Sequence, residues 1–296
     1  MAFTLSNLLV EAYKELGQLT VSTATGGSTS TVVDSKQAGI HGDNSWKEGG
    51  VFILRDAGGA SAAPEGEFKR CSAFTDSTGT FTVESVFTTS PASGDTYGFV
   101  GDYYPFYTMI ELANAALQSL GDIPLVDTSL TSAASQTEYD YAVGLKRQPP
   151  FKVEVQGRTS DANDNQPVPL SSWEYRPATA GTAGTLFLPQ LPTGRTIYVW
   201  YMGPHPVVKA YNSAIYEGFD PELVTRMLVE EALSWQNARM QGQDDYLLQT
   251  ETKATGKRME IEAKRRAWMP KRRSKLLVLG GYTEYDEDEI PAPPPA

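Results

Sequence analysis

The chain has 296 residues, with 40% hydrophobic and 21% charged positions and a net charge of −11; at ~100–200 residues per domain that length holds about one to three domains. The acidity argues against a protein that grips DNA over a broad basic face, because released counterions supply most of such affinity. One cysteine (Cys71) and two histidines (His41, His205) exclude an internal disulfide and a cysteine-based metal cluster, and leave any zinc site dependent on carboxylates.

The opening "MAFTLSNLLVEAYKELG" has no basic n-region and no long apolar core, so it does not read as a signal peptide. No stretch approaches the roughly 18 apolar residues of a membrane span. The expectation is a soluble protein made in a reducing compartment, with no membrane partner. Residues 5–16 read as a helix: Leu5, Leu8, Leu9, Ala12 and Leu16 follow the 3.6-residue period, Thr4 or Ser6 caps the start, and Gly17 follows the end. From Thr20 to about Val100 the pattern changes to short β-branched and aromatic runs separated by Gly, Ser, Pro and Asp clusters, which suits a small antiparallel sandwich or barrel. Asp76 to Gly79 reads as a hairpin turn.

Helix returns at "YPFYTMIELANAALQSLGDIP", with Ile110, Ala113, Leu117 and Leu120 on one face and Gly121 and Pro124 as stops. The stretch 126–150 carries weak helix signals and a breaker at Pro149-Pro150. A second β block covers 151–202, with Leu191 to Gly194 joining its last two strands as a hairpin. In "RTIYVWYMG" both alternating sets are apolar or aromatic, so both faces are expected to meet protein. Asp220, Pro221 and Glu222 then open a helix with a buried stripe at Val224, Leu228, Ala232 and Trp235, interrupted at Gly242. A further, mostly polar helix runs from Asp244 to Trp268 and stops at Pro270. Its apolar positions form no single stripe, and Glu260/Lys264 and Glu262/Arg266 are i,i+4 ion pairs.

The simplest architecture is α+β. A helical bundle of the N-terminal helix, a central helix and two long C-terminal helices carries an inserted antiparallel β-sandwich or barrel, a second β-sheet element and an extended C-terminal arm. The corresponding boundaries are 1–19 and 101–150 for the helical core, 20–100 for the inserted β domain, 151–203 for the second β element, 204–270 for the C-terminal helices and 271–296 for the tail.

Catalytic constellations are not evident. "TATGGSTST" lacks the lysine and following helix of a phosphate loop, and there is no G-x-S-x-G elbow. His205, between prolines, reads as a turn histidine satisfied by backbone or water, with a general base as the sharper alternative. "DANDNQP" (Asp161 to Pro167) imitates half a calcium loop but lacks its glycine, and Ser172 stands where the bidentate glutamate belongs; it reads as a polar hairpin tip. Trp173, Trp200 and Tyr201 are candidates for an aromatic platform, with sheet core or subunit contact as the plainer readings. Trp46 is a candidate for surface recognition or a core anchor. No enzyme activity, cofactor or metal is expected.

The C-terminal region carries the stronger signal. Lys257, Arg258, Lys264, Arg265, Arg266, Lys271, Arg272, Arg273 and Lys275 are nine of 25 basic residues within nineteen positions, opposed there only by Glu260 and Glu262. Lysines and arginines suit a helix C-terminus, but "PKRRSK" lies beyond the proline, and an acidic partner surface accounts for both. Leu276, Leu277, Val278, Leu279 and Tyr282 belong to an apolar strand that either folds back on a β block or adds to another sheet edge. The acidic, proline-rich "EYDEDEIPAPPPA" follows, and disorder is its default expectation. Basic segment, strand and acidic tip together look like a docking arm.

The order of these elements resembles the head-to-tail adaptor (connector) proteins of tailed bacteriophages, especially the tail-tubular-A-like adaptors of short-tailed phages. The resemblance rests on "FTLSNLLVEAYKELGQL", on "PLSSWEYRP" with "LFLPQLPTGRTIYVWYMGPHP", on "FDPELVTRMLVEEALSWQNARM" and on the charged helix and tail. It spans most of the chain. It implies a structural virion protein at the head-tail junction, assembled in the host cytoplasm. Copies would form a homo-oligomeric ring, twelve-fold in the family, between the portal protein and a tail or neck protein, and double-stranded DNA would pass non-specifically through the central channel. An acidic lining suits sliding DNA. On this resemblance Leu276, Leu277, Val278, Leu279 and Tyr282 would supply the portal contact. Arg265, Arg266, Lys271, Arg272 and Arg273 would meet acidic portal surface or the DNA path, and Val224, Leu228 and Trp235 would hold the helices of the ring. The alternative is a tail, fibre or neck protein whose β domain binds a host glycan or decorates the virion.

Overall fold

The computed structural model describes residues 3–59, 62–141, 149–157, 166–177, 184–240, 244–268, 276–278 and 281–283. Helix α1 (Leu5–Glu15) begins at Thr4, whose hydroxyl accepts from the Asn7 backbone while the Asn7 side chain accepts from the Thr4 backbone. This reciprocal cap satisfies two of the donors that every helix start leaves open.

Seven strands follow: β1 (Thr20–Thr23), β2 (Gly26–Ser28), β3 (Thr31–Val33), β4 (Gly50–Arg55), β5 (Phe68–Thr75), β6 (Thr80–Val83) and β7 (Thr96–Phe99). They make one antiparallel sheet in the order β1-β7-β4-β5-β6-β3-β2. Its two edge strands are separated by only Ala24 and Thr25. The Ala24 N–H donates to Asp95 O on one side, and the Thr25 N–H donates to Val33 O on the other. So short a link between opposite edges requires the sheet to coil into a nearly closed barrel, which removes most of the exposed edge. Gly79 turns β5 into β6 at φ +61°, and a Cβ there would lie 2.1 Å from Asp34 O, so both the conformation and the space demand glycine.

After α2 (Phe106–Ser119) come nine strands: β8 (Ile123–Thr131), β9 (Glu138–Asp140), β10 (Lys152–Gln156), β11 (Pro167–Pro169), β12 (Glu174–Arg176), β13 (Thr185–Phe187), β14 (Thr196–Gly203) and, near the C-terminus, β15 (Leu276–Val278) and β16 (Gly281–Thr283). The first seven form a four-stranded sheet, β11-β10-β14-β8, and a three-stranded sheet, β12-β13-β9. Tyr139, Val153, Leu186, Ile197 and Val199 fill one core between them. Helices α3 (Pro221–Arg239) and α4 (Asp245–Trp268) complete the chain's helical part.

The expected helical bundle with an inserted β domain is corrected here. Sixteen strands and four α-helices are present among the described residues, and the architecture is mixed and mostly stranded, built on three antiparallel sheets plus a hairpin. The helices do not close a core among themselves. Their apolar faces share one with the barrel: Leu8, Tyr13, Met109, Val224 and Leu228 pack with Phe52 of β4 and Phe68 of β5. Strand alternation explains the sharing. Val51 and Ile53 point into the barrel while Phe52, between them, points out to the helices, so β4 serves two cores with its two faces. The Phe52, Phe68 and Phe106 rings meet edge to face at centroid distances of 5.1–6.1 Å.

Three smaller expectations also change. The stretch 126–150 contributes strand, not weak helix: β8 pairs with β14 along its length and β9 sits in the three-stranded sheet. Residues 142–148 lie outside the described set. Leu191 to Gly194 is no hairpin, because β13 and β14 belong to different sheets and the segment crosses between layers. On β14 only the Ile197/Val199 face is fully buried, while Tyr198, Trp200 and Met202 are half-buried.

Candidate functional site

Among the described residues no group of three or more His, Cys, Asp or Glu could hold a metal ion. Cys71 lies alone inside the barrel, where burial pushes its thiol up to about 12, far from a reactive thiolate. His205 is buried and bonded on both sides: Nε2 accepts from the Tyr216 backbone N–H at 3.1 Å, and Nδ1 lies 2.8 Å from Pro206 O. With Nε2 an acceptor, Nδ1 carries the proton and donates. The histidine therefore latches the connection between β14 and α3, as the turn reading anticipated.

The aromatic candidates are structural as well. Trp46 packs edge to face on Phe99 (4.7 Å) and His41 (5.0 Å) at the barrel core. Trp173 packs partly buried against the sandwich core. The Trp200 indole donates to Glu154 Oε2 at 2.6 Å, and Lys152 bonds the same carboxylate. Of "DANDNQP", residues 161–165 lie outside the described set, and Pro167 opens β11.

The C-terminal candidates are placed in part. Val224 and Leu228 are fully buried on the face of α3 that meets α1 and α2, and Trp235 is partly buried with the Arg239 guanidinium 5.5 Å over its ring. Arg265 and Arg266 fall on the last turn or so of α4. Leu276, Leu277 and Val278 form β15, which pairs with β16, Leu277 standing opposite Tyr282. Leu279, Lys271, Arg272, Arg273 and Lys275 lie outside the described residues, as do Gly242 and Pro270. Two members of the basic cluster are paired within the chain: Arg258 bonds Glu230 of α3 at 2.5 Å and Glu262 at 2.6 Å, and Lys264 bonds Glu260 at 2.7 Å.

How α4 is held defines the surface available to a partner. Asp244 caps its start, accepting from the Tyr246 and Leu247 backbone. Leu247 and Ala254 are buried, and Glu251, Thr255 and Arg258 bond Asn237 or Glu230 of α3. These positions form one narrow seam. Outside that seam Tyr246 is 75% exposed, Leu248 40% and Met259 58%. Single exposed apolar residues are ordinary; Leu248 and Met259, eleven residues apart, lie on one side of α4, and Tyr246 lies on another.

Among the concavities beside the helices, two are built from segments of α2, α3 or α4 and residues too distant in sequence to be read together. A cavity of about 490 Å³ lies between the end of α1, Tyr103-Tyr104, α3 and α4. In it Arg226 bonds Glu15 at 2.7 Å, and burial of Glu15 outweighs the lowering by Arg226 and Lys257, so its carboxyl sits above the usual range. A groove of about 540 Å³ runs between α2 and residues 207–209, floored by Ile110 and Ala115. No protein-family model matches this chain, and no curated protein matches it.

Proposed function

We propose that this protein is a structural subunit of a ring-shaped head-to-tail adaptor in a phage virion, joining the portal to a tail or neck protein and leaving a central passage for double-stranded DNA. The observation that carries the reading is α4. A 24-residue helix is fastened along one seam to α3, and Tyr246, Leu248 and Met259 remain outside that seam. A long helix so thinly held gains its ordering from neighbouring chains. Three further features support the same role. The net charge of −11 suits a lining past which DNA slides. The buried His205 and Cys71 and the partly buried Trp46, Trp173 and Trp200 are all engaged in packing or hydrogen bonds within the chain. Residues 257–268 of the basic run belong to the C-terminal half of α4, where an acidic portal surface would reach them.

The test is direct imaging. Electron micrographs of the virion, and of the purified protein added to portal-bearing heads, should contain a ring with a central hole beneath the portal. A lone globule elsewhere in the particle, or binding of the full chain to host glycans with no ring, would overturn the reading and favour a receptor-binding role.

A further inference from the structure

The cavity between α1, α3 and α4 departs from the acidity of the rest of the chain. Its lining carries Arg226 from α3 and Lys253 and Lys257 from α4, against Glu15 and Asp244. Both carboxylates are already engaged. Glu15 bonds Arg226 at 2.7 Å, and its burial holds the carboxyl above the usual range, which weakens it as a counter-charge. Asp244 accepts from the Tyr246 and Leu247 amides at the start of α4. Glu11 and Glu222 act on Glu15 from outside the lining, and Glu11 is paired with Lys14. One carboxylate thus serves three cations. Lys253 and Lys257, about 6 Å apart along α4, have no ion pair among the described residues. Arg226 uses one terminal nitrogen on Glu15, and its Nε is buried without a partner. Its planar fork is therefore only partly filled. The cavity's volume of about 490 Å³ falls within the ~300–1,000 Å³ of small-molecule sites.

We infer that this cavity is an anion site, in which Lys253, Lys257 and Arg226 hold the phosphate of a small phosphate-bearing molecule. Charge selects the ligand class. Two unpaired ammonium groups and the open edge of a guanidinium match a dianion, whereas a monocarboxylate would leave one lysine unneutralised. Leu16, Val229 and Leu233 share the lining, so there is apolar wall for the remainder of an organic phosphate. The cations come from two helices, so an occupant bridges α3 and α4 and adds to the narrow seam that fastens them. The site is independent of the adaptor reading, and each stands or falls without the other.

The experiment is calorimetric titration of the full-length protein with pyrophosphate at fixed ionic strength. Saturable binding with a Kd below about 1 mM is expected. Lys253→Ala/Lys257→Ala should weaken it by about tenfold or more, with an unchanged melting temperature, because both lysines are exposed and unpaired. Lys253→Arg/Lys257→Arg should retain it. Lys36→Ala/Lys47→Ala removes the same charge from exposed positions of the barrel region and should leave the affinity as in the parent. Pyrophosphate should also slow amide exchange across 244–257 in the parent and not in Lys253→Ala/Lys257→Ala. Absence of saturable binding, unchanged affinity in Lys253→Ala/Lys257→Ala, or equal weakening in both double-alanine variants would each overturn the site. A short DNA duplex is the second probe. Lysine-dependent binding of the duplex without binding of pyrophosphate would overturn the small-molecule assignment and place these lysines against nucleic acid.

Discussion

At the residue scale, the barrel depends on a buried carboxylate. Asp34 is fully buried and accepts from Ser22 Oγ (2.5 Å) on β1, from the Tyr97 hydroxyl (2.9 Å) on β7 and from the Lys36 backbone (2.9 Å). It therefore ties both sides of the seam where the sheet coils shut. The Tyr97 hydroxyl is held above its usual range, by burial first and by Asp34 second. Removing the carboxylate strands two hydroxyls, so Asp34→Ala should destabilise the barrel by about 2–3 kcal/mol in denaturant titration, and Asp34→Asn by less. A second residue sets acid sensitivity. Arg70 pairs with Glu48 and Glu84; its bond holds the Glu48 carboxyl below the usual range, and the Tyr107 hydroxyl first and Arg70 second do the same for Glu84. A carboxyl lowered by folding stabilises above its unfolded pKa, here about 4.5, and that stability is lost as pH falls through the lowered value. Both carboxylates are nearly half exposed, so the effect is modest. The melting temperature should drop below about pH 4.5 in the parent and drop less steeply in Arg70→Met. Cys71, at its raised pKa of about 12, should resist maleimide until denaturant opens the barrel. Except for the local Asp34–Lys36 cap, none of these partnerships was visible in the sequence, since each joins residues brought together only by the fold.

At the element scale, helix termini were legible because they are local. Thr4, Gly17, Asp220 and Pro221 act where their chemistry predicts: Gly17 adopts φ +67°, and Asp220 accepts from the Glu222 backbone at 2.9 Å. The turn at Asp76 to Gly79 was legible for the same reason. Strand β8 was not, because "IPLVDTSLT" places Asp127, Thr128 and Ser129 mid-strand with only an edge face to bury. Its existence is decided by β14, some seventy residues away. The polar helix α4 poses the opposite case. Its periodicity is weak, yet Arg258 bridging Glu230 and Glu262 holds it on α3. With all three groups largely shielded, Arg258→Ala should loosen this docking by about 1–2 kcal/mol. Amide exchange should then quicken across 244–264 and stay unchanged in the barrel.

At the scale of the whole molecule, the helical layer and the barrel share Phe52, Phe68 and Phe106, so the two are expected to melt together. Phe52→Ala should cost about 3–5 kcal/mol and broaden or split the single transition seen by calorimetry. The C-terminal segment makes a different prediction. Residues 276–278 and 281–283 pair with each other as a hairpin, without a strand of the three larger sheets. Deleting 276–296 should therefore leave the melting temperature unchanged, while heads completed with the truncated chain should fail to acquire tails if the segment is the portal contact. Normal tail attachment by the truncated chain would remove that role.

By itself the sequence determined what short-range chemistry determines: helix caps and apolar faces, the turn-rich strand texture of 20–100, the acidity and the concentration of basic residues near the C-terminus. Only the tertiary structure decided that β4 faces two cores at once, that the sheet coils shut through Ala24 and Thr25, and that α4 is fastened to α3 along one narrow seam. The reason is physical. Backbone conformation and capping are settled by neighbours within a few residues, whereas the covering of an apolar face is settled by whichever surface, however distant along the chain, removes it from water.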